Sequence, residues 1–486
     1  MPKEVRGYDP RGPARSIKEF ILLTGLTTEE CIPNRVDLSQ EICGIFFRYP
    51  IMPAAMSCLY NFQKYDLAIA SAKNGMPPVI HCNQSIDKQV EIIRAVKGSA
   101  PREGIETIEN PVVAYNYETL GDVLRRCEKH GHSIIPVVDK FRRLEGVFIR
   151  PFESLRKTDT KITDSQYYTS LENLIIAKKE KDVKHLLEKA KQRGQRFLPL
   201  LDNQGHLVAL IFSQKFPGPF CGAAISTHAG WKERAKECIE AGADFVVVDT
   251  SDAYSVFARE VGQEFKEEFP NIPLVLGNII TEEAFNYLAE FTDFIKVGMM
   301  TGLACKTGAV KSVGRPLFSA LYEVYYAREK YANEKGKYIP IIADGGLFRP
   351  GEWIIALAFA ELMMAGAYFA QFYESAGRGL DENKKFTNSE EKIVWKEYWG
   401  EGSDRARNLE RYGQELKTVV EEGVDGFVRY GGRLKLRVEE DFKAVAAALS
   451  NVGCTNLEEF RKKAVLQLLS PIAIQEKYPQ VEHKNG

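Results

Sequence analysis

The sequence predicts an α/β fold, a (β/α)8 TIM barrel interrupted by an inserted pair of similar modules. Eight short, nearly continuous apolar runs alternate with amphipathic helical stretches, the pattern of a parallel sheet covered by helices. More than a hundred residues separate the second run from the third, and an internal repeat lies within them. Glycines and carboxylates fall where the runs end, which is where a barrel of this kind carries its chemistry.

The first run is Ile51 to Met56 and the second is Pro78 to Cys82. After the insert come Phe220 to Ser226, Asp244 to Thr250, Pro273 to Asn278, Asp293 to Gly298, Ile339 to Gly346 and Glu361 to Gly366. Between them, stretches such as Trp231 to Ala241 and Thr281 to Glu290 repeat apolar residues at helical spacing. Eight strand–helix units favour a closed barrel over an open doubly wound sheet.

The insert is read from its repeat. Ser133-Ile134-Ile135-Pro136-Val137-Val138-Asp139 is echoed by Arg196-Phe197-Leu198-Pro199-Leu200-Leu201-Asp202. A turn and a second short strand follow each, Leu144 to Ile149 and His206 to Ile211, and a helix precedes each, Leu120 to His130 and Asp182 to Arg193. The expected organisation is residues 1–107 as the first part of the barrel, 108–214 as the insert and 215–486 as the rest. The stretch from about 373 to 432 is charged and glycine-rich and too long for a simple connection, as functional or disordered loops are; the resemblance given below implies a mobile flap there. Its Trp395, Tyr398, Trp399 and Tyr412 are aromatics that plain disorder lacks.

Composition narrows the function. The 486 residues are 44% hydrophobic and 27% charged, as in soluble globular proteins. A net charge of −1 supplies no field that would draw nucleic acid or anionic lipid. No apolar run is long enough to span a membrane. Nine scattered cysteines without a CxxC pair suit reduced thiols and a cytoplasmic location. Seven histidines show no metal-ligand spacing.

Four strand ends carry residues suited to a nucleotide: Asp249-Thr250-Ser251-Asp252, Gly277-Asn278, Asp344-Gly345-Gly346 and Gly366. Glycines after the seventh and eighth strands let backbone N–H groups approach a phosphate, and a neighbouring aspartate can accept bonds from ribose hydroxyls. The sixth strand runs into Gly298-Met299-Met300-Thr301-Gly302-Leu303-Ala304-Cys305-Lys306-Thr307. A free cysteine is commonly a small buried apolar residue. On a loop past a barrel strand, with a threonine two residues on, it is a candidate nucleophile.

The insert resembles a tandem pair of CBS modules, a Bateman module. Taken together, Lys296 to Thr307, the Ala343-Asp344-Gly345-Gly346 turn, the insert and Glu401-Gly402-Ser403-Asp404-Arg405-Ala406-Arg407-Asn408-Leu409-Glu410-Arg411-Tyr412 resemble the IMP dehydrogenase/GMP reductase family over essentially the whole chain. The flap, with its Arg-Tyr pair, is most similar to the IMP dehydrogenases. The resemblance implies NAD-dependent oxidation of IMP to XMP in guanine nucleotide biosynthesis, with Cys305 attacking C2 of the purine. Arg411 and Tyr412 would then activate water, and Thr307 and Glu422 would form a second proton-passing pair. It further implies a nucleotide site at Met56, Asn278, Asp344, Gly345, Gly346, Gly366, Glu401 and Gly402. Asp249, Thr250, Ser251 and Gly298 would serve the nicotinamide riboside. Potassium would be held by the backbone carbonyls of Gly302 and Cys305, and the protein would be a homotetramer.

The chain departs from the family pattern at four positions. Met300 replaces a glycine, Leu303 replaces a phosphate-binding serine and cannot donate to phosphate, Gly308 follows Thr307 where arginine is common, and Ala367 follows Gly366 where a polar residue is common. Two alternatives therefore stay open. One is a GMP reductase using NADPH and releasing ammonia, which has no use for Arg411 and Tyr412. The other is a catalytically impaired nucleotide-binding regulator, which has no use for Cys305. The CBS positions that would take an acidic nucleotide-binding residue read Arg150-Pro151-Phe152 and Ser213-Gln214-Lys215.

Overall fold

The computed structural model describes the chain apart from residues 1–2, 100–104, 131–133, 150–158, 194, 196, 214–217, 408–419 and 479–486. All eight predicted runs are strands of one parallel sheet: β1 (Ile51–Pro53), β2 (Val79–Ile80), β3 (Gly222–Ile225), β4 (Phe245–Asp249), β5 (Leu274–Ile279), β6 (Phe294–Val297), β7 (Ile341–Asp344) and β8 (Leu362–Ala365). Pairing runs from β2 through β3 in sequence order to β8, and β8 pairs with β1. First and last strands meeting is the mark of a sheet wrapped into a (β/α)8 barrel. Between β1 and β2 a side chain spans the seam. The Tyr60 hydroxyl is within hydrogen-bonding reach of the Ala54 carbonyl, at 2.7 Å, and of the Val79 carbonyl. Burial raises the Tyr60 pKa well above its usual value, so the group stays a phenol.

The strands are buried almost throughout, which is why they read as unbroken apolar runs. Helices follow the strands, among them Trp231–Glu240 after β3, Val256–Glu268 after β4, Glu282–Leu288 after β5 and Leu317–Lys335 after β6. Two of them start on side-chain caps: Ser255 accepts the Ala258 N–H and Thr281 accepts the Ala284 N–H.

At the N-terminal end of the strands lies a buried ion cluster centred on Glu361. Glu361, just before β8, accepts the Ile341 N–H at 2.7 Å and the Tyr338 hydroxyl at 2.7 Å. Arg328 stands 3.3 Å away and Arg461 3.4 Å. Burial disfavours the carboxylate, but Arg328 and then Arg461 outweigh it and hold the Glu361 pKa below the usual range.

The chain divides into two compact units, residues 1–98, 218–430 and 441–486 in one, and 99–217 with 431–440 in the other. The second unit carries the repeat. Helix Leu120–His130 precedes strands Ile134–Val138 and Leu144–Ile149, and helix Val183–Gln192 precedes Leu198–Leu201 and Leu207–Ser213. Each helix packs its apolar face on its own strands, Leu120, Val123 and Cys127 against Ile135 and Val137, and Val183 and Leu187 against Leu198 and Leu200. Residues 150–152, 214 and 215, where a CBS pair would place its nucleotide contacts, lie outside the described residues.

The expected flap differs from a plain mobile loop. Around it Gly379–Leu380, Trp395–Trp399 and Asp425–Arg429 form an antiparallel sheet. Its aromatics supply the reason: Tyr398 and Trp399 are buried, and Arg405 lies 3.7 Å over the Trp399 ring. Among the described residues, no helix is long and apolar enough to cross a membrane.

Candidate active site

The C-terminal ends of the strands surround a cavity of about 290 Å³. Its wall includes Cys305, Thr307 and Glu422, the predicted nucleotide residues Met56, Asn278, Asp344, Gly345, Gly346, Gly366, Glu401 and Gly402, and Asp249, Thr250, Ser251, Gly298 and Gly302. Arg411 and Tyr412 lie outside the described residues.

Cys305 is exposed and Thr307 is buried beneath it. The thiol donates to Thr307 Oγ1 at 3.2 Å, and the Thr307 hydroxyl donates to Glu422 Oε2 at 3.1 Å. The other Glu422 oxygen is held by Lys311 at 2.6 Å, with Arg407 3.9 Å away. The result is a directed path, thiol to hydroxyl to carboxylate, along which a proton can leave sulfur.

Backbone pairing sets this geometry. Lys306 N–H donates to the Glu422 carbonyl at 2.7 Å and Val424 N–H to the Ala304 carbonyl at 2.9 Å, with Cys305 opposite Gly423. A Cβ on Gly423 would stand 2.6 Å from the Ser403 nitrogen, so only glycine lets this ribbon lie against Gly402 and Ser403. Glu422 is remote in sequence and reads there as a surface carboxylate. Cross-strand pairing alone brings it to the cysteine.

Beside the relay lies a charged cluster centred on Lys296, which sequence reasoning missed. Lys296 projects from β6 and is buried. Its Nζ meets Asp344 Oδ2 at 2.9 Å and Asp249 Oδ1 at 3.5 Å, and donates to Asn278 Oδ1. Asn278 Nδ2 donates to the same Asp344 Oδ2 at 3.0 Å and to the Gly298 carbonyl at 2.5 Å. Burial disfavours the ammonium, but Asp344 and then Asp249 outweigh it and raise the Lys296 pKa. Three strand ends are thereby tied to one lysine. Both bonds to the Asp344 side chain converge on Oδ2, and Oδ1 has no partner among the described residues. The missed signal was a lone charge inside an otherwise apolar strand.

The side of the cavity expected to face a phosphate is rich in glycine. Gly345 and Gly346 take positive φ after β7. A Cβ on Gly298, at φ +147°, would overlap the Asp344 carbonyl, so glycine is what lets the β6 and β7 loops pack together. Leu303 is exposed and presents carbon where a hydroxyl was expected. Thr250 is a structural anchor, its hydroxyl donating to the Gly277 carbonyl at 2.8 Å.

Glu401 is fixed from behind. Its Oε1 accepts the Ser57 N–H and hydroxyl, each at 2.6 Å, and its Oε2 accepts Asn83 Nδ2 at 3.0 Å. Trp399 Nε1 donates to the same Ser57 oxygen at 2.9 Å. On that strand burial opposes the Glu397 carboxylate, yet hydrogen bonds from Arg378 and Arg405 bring its pKa down to about 2. Tyr398, between them in sequence, lines the cavity and was missed. Ser57 and Asn83 were missed too, since nothing near them in sequence marks them.

Among the described residues, no group of three or more His, Cys, Asp or Glu could hold a metal ion. The carbonyl of Gly302, one of the two expected to hold potassium, is engaged within the loop itself. Gly302's carbonyl accepts the Cys305 N–H at 3.0 Å, so the two residues close a turn on each other.

A family model described as IMP dehydrogenase / GMP reductase domain matches residues 16–480. An inosine-5'-monophosphate dehydrogenase from Tritrichomonas foetus is 31% identical over 497 residues, covering 96% of this chain and 95% of the relative. One from Escherichia coli strain K12 is 29% identical over 471 residues, 92% of each chain. The fold is similar to a crystal structure of a GMP reductase from Trypanosoma brucei in complex with guanosine 5'-monophosphate, with TM-score 0.66, 21% identity and coverage of 97% and 98% of the two chains.

Proposed function

The chain belongs to the IMP dehydrogenase / GMP reductase family of oxidoreductases, and from that premise we propose that it oxidises IMP to XMP with NAD in guanine nucleotide synthesis. The observation that carries the reading is the Cys305–Thr307–Glu422 hydrogen-bond path, opening on the cavity that Asp344 shares.

Cys305 loses its proton toward Thr307 and Glu422, and its sulfur adds to C2 of the purine. The hydrogen on C2 then leaves as hydride, and NAD supplies the acceptor. The product is a thioimidate on Cys305. With that first proton passed on to solvent, water adds to C2, its proton passing to Thr307–Glu422 or to Arg411–Tyr412, and sulfur departs as XMP is released. A thiolate suits both roles because it is a strong nucleophile and a workable leaving group. Arg411 is too basic to take a proton in ordinary surroundings, so in this scheme Thr307–Glu422 is a complete route by itself.

Asp344 would hold the ribose hydroxyls, with the phosphate against the N–H groups of Gly345, Gly346 and Gly366. Met56 would line the base, and Glu401 and Gly402 would read its edge. NAD would lie beside them, with Asp249 and Ser251 toward the nicotinamide riboside. No step uses potassium. Residues 108–214 are proposed to be a tandem CBS module, and the assembly a homotetramer, checked by light scattering.

The test is NADH absorbance with IMP and NAD, repeated with GMP and NADPH. Turnover with the first pair supports the proposal. Turnover only with the second would make the chain a GMP reductase, and binding without turnover would make it a regulator.

A further inference from the structure

We propose that Met300 is a positioning residue that braces the Cys305 loop by packing, in a seat left open by Gly308 and Gly314, and that this brace makes a monovalent cation dispensable. The proposal rests on Cys305 being the nucleophile.

Met300 has φ +71°, a region L side chains rarely adopt. Glycine would adopt that conformation without strain, so the methionine side chain carries a conformational cost there. Its side chain lies over two glycines. A Cβ on Gly308 would stand 2.7 Å from Met300 Sδ and 3.1 Å from Cγ, and one on Gly314 would meet Met300 Cβ and Cγ. Gly308 belongs to helix Thr307–Lys311, the helix that Thr307 begins. The seat of Met300 and the acceptor for the Cys305 thiol are therefore one rigid piece. A flexible thioether fills such an irregular seat well.

The neighbouring residues are tied down on both sides. Arg315 N–H donates to the Met299 carbonyl at 3.4 Å, and the Arg315 side chain is held by Glu323 at 2.5 Å and the Ile280 carbonyl at 3.2 Å. On the other side Thr301 Oγ1 donates to the Asp344 carbonyl at 3.2 Å. The carbonyl of Gly298 accepts from Asn278 and that of Gly302 from Cys305. The loop is thus ordered by side-chain packing and internal hydrogen bonds, where a cation would otherwise gather its carbonyls.

The test is amide hydrogen exchange across residues 299–306 of the full-length protein, read by mass spectrometry, with and without potassium. Met300→Gly should speed exchange there by at least about fivefold, while Met300→Leu, which keeps the packing, stays within about twofold of wild type. Gly308→Ala should speed exchange in the wild-type background and add nothing in Met300→Gly, because the clash needs the methionine. Replacing potassium by tetramethylammonium at equal ionic strength should change wild-type exchange, and NADH formation, by less than about twofold. Equal exchange in wild type and Met300→Gly would overturn the brace, and so would about tenfold slower exchange in potassium. Exchange needs no substrate, so a protein that fails to oxidise IMP but shows this pattern loses the proposed activity and keeps the brace.

Discussion

At the closed end of the barrel Glu361 is ringed by Arg328, Arg461, Tyr338 and the Ile341 N–H. At the open end Lys296 is ringed by Asp249, Asn278 and Asp344. Both are single charges, buried, with opposite charges around them that outweigh the cost of burial. They differ in what remains unused. Hydrogen bonds and cations from several elements saturate Glu361. The open-end cluster borders a cavity, and one oxygen of Asp344 is spare. Buried charge alone does not distinguish a structural site from a binding site. An unused acceptor facing a cavity does.

Substitutions at the two ends should separate these roles. The largest effect belongs to the open end: Cys305→Ala should lower IMP-dependent NADH formation by about 10⁴-fold or more, with folding unchanged by circular dichroism. At the closed end Glu361→Gln leaves two arginines facing a neutral group, and should cost about 3–5 kcal/mol in a urea melt while the folded enzyme keeps its kcat. The lowered Glu361 pKa fixes the sign with pH. Its stabilisation is present above the ordinary glutamate value and is lost as pH falls through the folded value, so the variant's deficit should shrink in acid. Lys296→Met should reverse the balance, with kcat/KM down about 10²-fold and a smaller loss in the melt, because its carboxylates can reach water through the cavity. Equal stability losses for the two variants would dissolve the contrast.

Glu422→Gln sharpens it further. It should slow both the first turnover of NADH and the steady state about 10²-fold, measured by rapid mixing. The smallest effect should be a gain: Leu303→Ser restores a phosphate donor and should lower the KM for IMP about tenfold.

The same contrast explains what was legible in the sequence. The eight strands showed because strands buried on both faces, such as Phe245–Asp249, are continuous apolar runs. Their ends were right to within a few residues, since the flanking glycines and aspartates mark the turns. Cys305, Thr307 and Asp344 were legible because each sits on a local motif. Lys296, Ser57 and Asn83 were not, because their roles arise only when distant strands and loops close into one cavity. Glu422 was legible through resemblance alone. The interval between it and Cys305 is spanned by strands Gly379–Leu380 and Trp395–Trp399, and no local pattern encodes that return. The insert's repeat was visible because each helix packs on its own two strands, a local arrangement written twice.

The short antiparallel ribbon joining Ala304–Lys306 to Glu422–Val424 has a mechanical consequence. The separation of sulfur from carboxylate is an internal coordinate of that ribbon. Any displacement of the segment entering at Glu421 carries both groups together, so the proton path keeps its length while the thiol's direction into the cavity changes. In this molecule the length of the proton path and the direction of the thiol are separate adjustments.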